Sequence, residues 1–123
     1  PQYLPVGDYT TSNSNVIVDR KDNILELYKD FVSSENRQSY ENTALIAQVA
    51  GKKLVYVIGI NSDDRVDQIP DVAQWKCTVK NQTFVGTHLY KQIMRHRTMY
   101  PHVSFVFVKK QKLCQTIWDM VSK

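Results

Sequence analysis

A chain of 123 residues, 42% hydrophobic and 23% charged, has room for one compact core and not for two. It holds no apolar run near the ~18 residues that would cross a bilayer, and its two cysteines, Cys77 and Cys114, make neither a disulfide framework nor a zinc spacing. The net charge of +4 hides an asymmetry: residues 1–71 carry seven Lys/Arg against eleven Asp/Glu, and residues 72–123 carry nine against Asp119 alone.

Residues 1–15, PQYLPVGDYTTSNSN, bury little and read as a flexible arm ahead of a single domain over residues 16–123. The start at Pro1, without Met, reads as a piece of a longer protein. Val16–Val18 suits a short extended contact. Asp22 or Asn23 can cap a helix in which Ile24, Leu27, Tyr28 and Phe31 recur at helical spacing. SSENRQS breaks it. A second helix then carries Ala44, Leu45 and Val49 and ends at Gly51, a residue suited to a left-handed cap.

Leu54–Ile58 is an apolar run rich in β-branched residues, as expected of a strand buried on both faces. NSDDRVDQIPDVA reads as a loop. QWKCTV alternates, with Trp75, Cys77 and Val79 on one side, and NQTFVGT gives a third short strand. Thr87 is a candidate cap for a helix with Leu89, Tyr90, Ile93, Met94 and Arg97 along one side. That helix must stop before Tyr100-Pro101, since the residue before proline is pushed out of the helical region. HVSFVFV is a fourth strand, and a terminal helix follows with Leu113, Ile117, Trp118 and Val121 at three- and four-residue steps. The fold expected is α/β: a small, four-stranded, largely parallel sheet flanked by helices. It has extra helices in front and none between the first and second strands.

Reactive chemistry finds little support. Cys77 falls mid-strand and Cys114 mid-helix, and neither follows a tight turn. His88, His96 and His102 lack a metal spacing and read as surface histidines. Asp63, Asp64 and Asp67 lack the glycine and terminal glutamate of a calcium loop, so a metal-dependent nuclease ranks third among the readings. No enzyme activity, cofactor or metal is expected. The basic helix stands apart. Lys91 and Arg95 are one turn apart on a shared face, and His88 lies a turn before Lys91, where free backbone N–H groups favour anions. An anion site and a solvated outer face both account for this pattern. Tyr90 or Trp75 could wall such a site, with Trp75 better placed in the core, and Arg97 is expected to run its stem along the core edge.

Three stretches carry a resemblance. GKKLVYVIGI resembles the first strand of BRCT domains, TFVGTHLYKQIMRH their third strand running into the second helix, and HVSFVFVKKQKLCQTIWDMV their last strand and closing helix. Residues 50–123 are covered. The family's Gly-Gly turn is missing, and so is the helix between the first two strands. The resemblance implies a protein-interaction domain. Phosphopeptide-binding members use a Ser or Thr ending the first strand and a Lys in the second helix. Lys91 matches the lysine, while Gly59 stands at the Ser/Thr position and leaves only backbone N–H groups and Ser62. The helices in front are similar to the helical-BRCT form found in a chromatin-silencing scaffold. That implies a nuclear peptide-docking module for short acidic or phosphorylated segments, of a nuclear-periphery anchor, a deubiquitinase or a retrotransposon integrase. The alternative is a basic nucleic-acid-binding domain. Against it, the aromatics do not interleave with the basic residues as base stacking requires.

Overall fold

The computed structural model describes residues 15–32, 34–61 and 64–121, of which residues 34–36 are described by backbone alone. In chain order it contains β1 (Val16–Lys21), α1 (Ile24–Val32), α2 (Ser34–Val49), β2 (Lys53–Ile60), a 3₁₀ helix (Ile69–Gln74), β3 (Lys76–Val79), β4 (Gln82–Val85), α3 (Gly86–Met99), β5 (Val103–Lys109), a 3₁₀ turn (Lys110–Lys112) and α4 (Leu113–Val121). The chain is mixed α/β, as expected.

The main sheet has three parallel strands in the order β1-β2-β5, with Ile17 opposite Leu54 and Tyr56 opposite Phe105. Its centre is β2. Leu54, Tyr56, Ile58 and Ile60 face a large cluster with Ile24, Leu27 and Phe31 of α1, Ala44 and Ala47 of α2, and Leu89 and Ile93 of α3. Val55 and Val57 face the other way, joining Val18 and the Leu113, Ile117 and Val121 side of α4. Each large side chain so enclosed is worth about 1.5–3 kcal/mol. The doubly apolar run of β2 is therefore the anchor of the whole chain.

Several expectations need correction. The sheet expected with four strands has three among the described residues. Val16–Val18 opens a full edge strand of it, whereas β3 and β4, expected as its second and third strands, pair only with each other, antiparallel. Their link is the two-residue turn Lys80-Asn81, both with positive φ (51° and 67°), which matches the twist of a hairpin. Trp75, Cys77 and Phe84 pack this hairpin onto the main cluster, and Tyr28 meets Phe84 edge-on at 5.2 Å. The gap expected to lack a helix holds the 3₁₀ helix Ile69–Gln74. The first helix ends at Val32, as expected of SSENRQS, but SENRQS is itself helical and opens α2. That helix turns alanines inward, and Leu45, Ile46 and Val49 stay exposed. Trp118 is 65% exposed, outside the apolar stripe of α4. The α3 helix starts at Gly86 without a side-chain cap, so Thr87 does not cap it.

Other local signals act as written. Asn23 Oδ1 accepts from the Glu26 N–H at 2.8 Å and caps α1. Gly51, at φ 70°, closes α2 with its N–H donated to the Gln48 carbonyl. Gly86 answers a different need. A Cβ there would lie 1.8 Å from the Val72 carbonyl oxygen, so only glycine lets α3 start against the 3₁₀ helix.

A charged group lies beneath α1 and α2. Lys21, 5% exposed, sets its ammonium 2.7 Å from Asp30 and 3.4 Å from Asp19, and it also donates to the Tyr40 hydroxyl. Tyr40 in turn donates to Asp30 at 2.6 Å. Burial pulls the lysine pKa down, but Asp19 and the Asp30 hydrogen bond outweigh it and leave the pKa above 10.5. A raised lysine pKa adds stability at every pH below 10.5, lost only as pH climbs through the folded value. Lys21 therefore contributes no pH dependence near neutrality.

Two outcomes test this account. Gly86→Ala is expected to cost about 3 kcal/mol or more in urea unfolding, because backbone must move to clear the new methyl. Lys21→Met is expected to cost about 3 kcal/mol by leaving carboxylates unmatched, and adding Asp30→Asn should return part of it.

Candidate functional site

The α3 helix turns about 100° per residue, so its basic residues leave it in different directions. Leu89, Ile93 and His96 are buried and mark its inner side. Lys91 projects from the opposite side, exposed. Arg95 leans toward α2 and lines a narrow crevice of about 10 Å³ with Arg37, Tyr40, Glu41 and Met99. His88 is exposed on the same flank by helical geometry. Tyr90 leaves on the other flank and packs, half-buried, against the main cluster. The structure thus keeps Lys91, Arg95 and His88 on the outer and α2-facing sides and separates them from Tyr90.

Gly59 is enclosed in β2 opposite Val108. A Cβ on it would lie 2.8 Å from the Asp22 carbonyl oxygen and 3.2 Å from the Lys110 Cγ. Its lack of a side chain thus lets the β1–α1 corner and the Lys110 stem pass close by. Ser62 and Asp63 lie outside the described residues. Asp64 Oδ2 accepts from the Asn61 N–H at 2.7 Å, and Asp71 Oδ2 accepts from the Asp67 and Gln68 N–H groups at 3.0 Å each. These carboxylates hold the loop together. Among the described residues no group of acidic, His or Cys side chains could hold a metal ion.

The arrangement with binding geometry lies at the far edge of the sheet. β5 pairs with β2 on one side only. Along its other side runs an open groove of about 360 Å³. Phe105, Val106 and Phe107 form its floor, Asp67–Pro70 one wall, and Arg97 of α3 the other. Arg97 had been expected only to shield the core with its stem. It is exposed, and no ion pair forms at it among the described residues. Helical spacing sets Arg97 on the apolar side, apart from Lys91 and Arg95, but only the packing of α3 decides that this side meets the sheet edge. Nor is there an ion pair at Lys91, Arg95, Lys109, Lys110 or Lys112 among the described residues. Among the described residues, none of these cations of the second half is thus ion-paired with a carboxylate of the first.

One histidine is not the surface residue expected. His96 is 6% exposed and lies among the rings of Phe31, Tyr56, Tyr100 and Phe105, with its Nε2 unpartnered among the described residues. Burial, helped by repulsion from His102, lowers its pKa from 6.5 to about 4.

No protein-family model, curated protein or solved structure matches the chain.

The His96 environment sets an acid limit on the fold. The unfolded chain takes up the proton near pH 6.5 and the folded one only near pH 4, so stability is full above 6.5 and falls between these values. The loss approaches about 3 kcal/mol. A His96→Leu variant is expected to remove this component from the pH profile of urea unfolding, and an unchanged profile would contradict it.

Proposed function

We propose that this domain docks extended acidic or phosphorylated peptides by adding them as a strand along the free side of β5. The observation that carries the reading is the groove itself. An unpaired strand edge offers a row of backbone donors and acceptors, and peptide-docking domains use such edges as templates. Here the edge is bordered by an exposed arginine, whose planar fork suits carboxylates and phosphates. The excess of basic over acidic residues in the second half supplies long-range attraction for an anionic ligand.

The resemblance of residues 50–123 to BRCT domains gives this docking its proposed setting: a nuclear chromatin-silencing scaffold that recruits short segments of other nuclear proteins. The outer side of α3, with Lys91 at the position of the family's phosphate-binding lysine, is a separate candidate surface on the same molecule, and the two make different demands on mutants. An acidic nine-residue peptide with and without one phosphoserine serves as the probe in fluorescence anisotropy. Arg97→Glu is expected to weaken binding at least about tenfold. The pair Lys91→Glu and Arg95→Glu is expected to cost only about two- to threefold, mostly in association rate and salt dependence. The reverse pattern would move the site to the outer side of α3. Tight binding of random duplex DNA, with affinity falling steeply against salt, would favour the nucleic-acid reading instead.

A further inference from the structure

The two faces of the sheet are unequally covered beside β5. On the main face Phe105 and Phe107 are buried, 8% and 9% exposed. On the other face α4 alone, among the described residues, provides cover, and it lies over β1 and β2 more than over β5. Its Cys114 flank is turned toward β1, where the Arg20 guanidinium approaches Sγ at 3.9 Å. Its Met120 flank is therefore turned toward β5. Val106 and Val108 of β5 and Met120 of α4 are left half-buried, packed against the smaller cluster but uncovered on their outer side by any other described residue. Just beyond them, at the end of β5, stand Lys109, Lys110 and Lys112, all exposed.

From this placement we infer the pattern of the ligand: an extended segment with apolar side chains at alternate positions, acidic ones between them, and an acidic end. The inference rests on the edge-docking reading and adds what that reading does not specify. Successive side chains of an added strand point to opposite faces of the sheet. Those on the α4 side meet Val106, Val108 and Met120 and extend the smaller cluster by one strand. Those on the α3 side come out beside Arg97. An acidic end lies against the three lysines, which repel a basic one. A uniformly acidic segment leaves the apolar strip wet, and a uniformly apolar one leaves the cations unmatched. Alternation satisfies both, and the charge complementarity selects an acidic partner over an apolar tail or a second copy of this basic half.

The test uses two fluorescein-labelled octapeptides: one alternating valine and glutamate and ending in two aspartates, and a twin with serine for every valine. Amide hydrogen exchange across Val103–Lys109 reports whether either adds to the edge. The valine peptide is expected to slow that exchange and to bind at least about tenfold more tightly than the serine twin. Val108→Ser and Met120→Ser should each erase most of that difference, with folding of both variants checked by circular dichroism. Met120, at the rim, serves should Val108→Ser not fold. Equal affinity of the twins with protection of β5 would overturn the alternation and leave edge docking standing. Protection of β5 by neither peptide would overturn edge docking as well.

Discussion

Burial of β2 on both faces is the constraint from which the rest follows. A strand with apolar side chains above and below needs two covering layers, and the connections decide how they are supplied. The chain crosses from β1 to β2 and on to β5 in one direction across the sheet. Parallel crossovers are almost always right-handed, so both connections lay their helices on the same face. This accounts for α1, α2 and α3 sharing one cluster. Among the described residues, only the segment after the last strand remains for the other face, and it forms a helix of nine residues. One short helix cannot span three strands spaced about 4.8 Å apart and their flanks. It centres near β1 and β2 and leaves β5 partly bare. The asymmetry that makes a docking edge plausible is thus a by-product of strand order, present before any question of partner arises.

Under the thick layer the chain accepts polar groups that a thin layer could not shield. Lys21, Asp19, Asp30 and Tyr40 form a closed set of charge-assisted contacts between β1, α1 and α2. Replacing such a set with apolar residues often gains stability, so its worth is better sought in specificity. An inward lysine fixes the register of β1, because a slip by one residue would turn its ammonium onto the apolar α4 face. His96 differs. It is held neutral by burial among aromatic rings, and it costs stability only when the solution is acid enough to protonate the unfolded chain.

What the sequence revealed, and what it hid, follows the same physics. β2 was legible because no amphipathic element carries so continuous an apolar run, and Asn23 and Gly51 were legible because caps are local chemistry. β1 was only half legible. Its Val16–Val18 start is apolar, but Asp19, Arg20 and Lys21 look solvated until the buried ion pairs are seen. The β3–β4 hairpin was hidden by its turn, which uses Lys80-Asn81 without a glycine. In α2 hydrophobicity pointed outward. The close packing of that helix on the core selects Ala44 and Ala47 for the inside and leaves larger neighbours in solvent. For the basic residues of α3, the helix and their relative directions around it were readable, and the elements those directions face were not. Helical spacing separates Arg97 from Lys91 and Arg95, and the docking angle of α3 then takes the Arg97 side to the strand edge.

On the proposed reading, charge and edge divide the work. Charge acts at a distance: a half-chain with nine basic residues and one acidic draws in anionic segments without choosing among them. Choice requires contacts that depend on register, and exposed cations on long stems supply little of that, since each pays its own ordering entropy and is screened by salt. A strand edge supplies it directly. Backbone pairing fixes the ligand one residue at a time, and each fixed position sends a side chain to a known face. Arg97 then becomes selective because the edge beside it, and not its own charge, determines which ligand residue it meets.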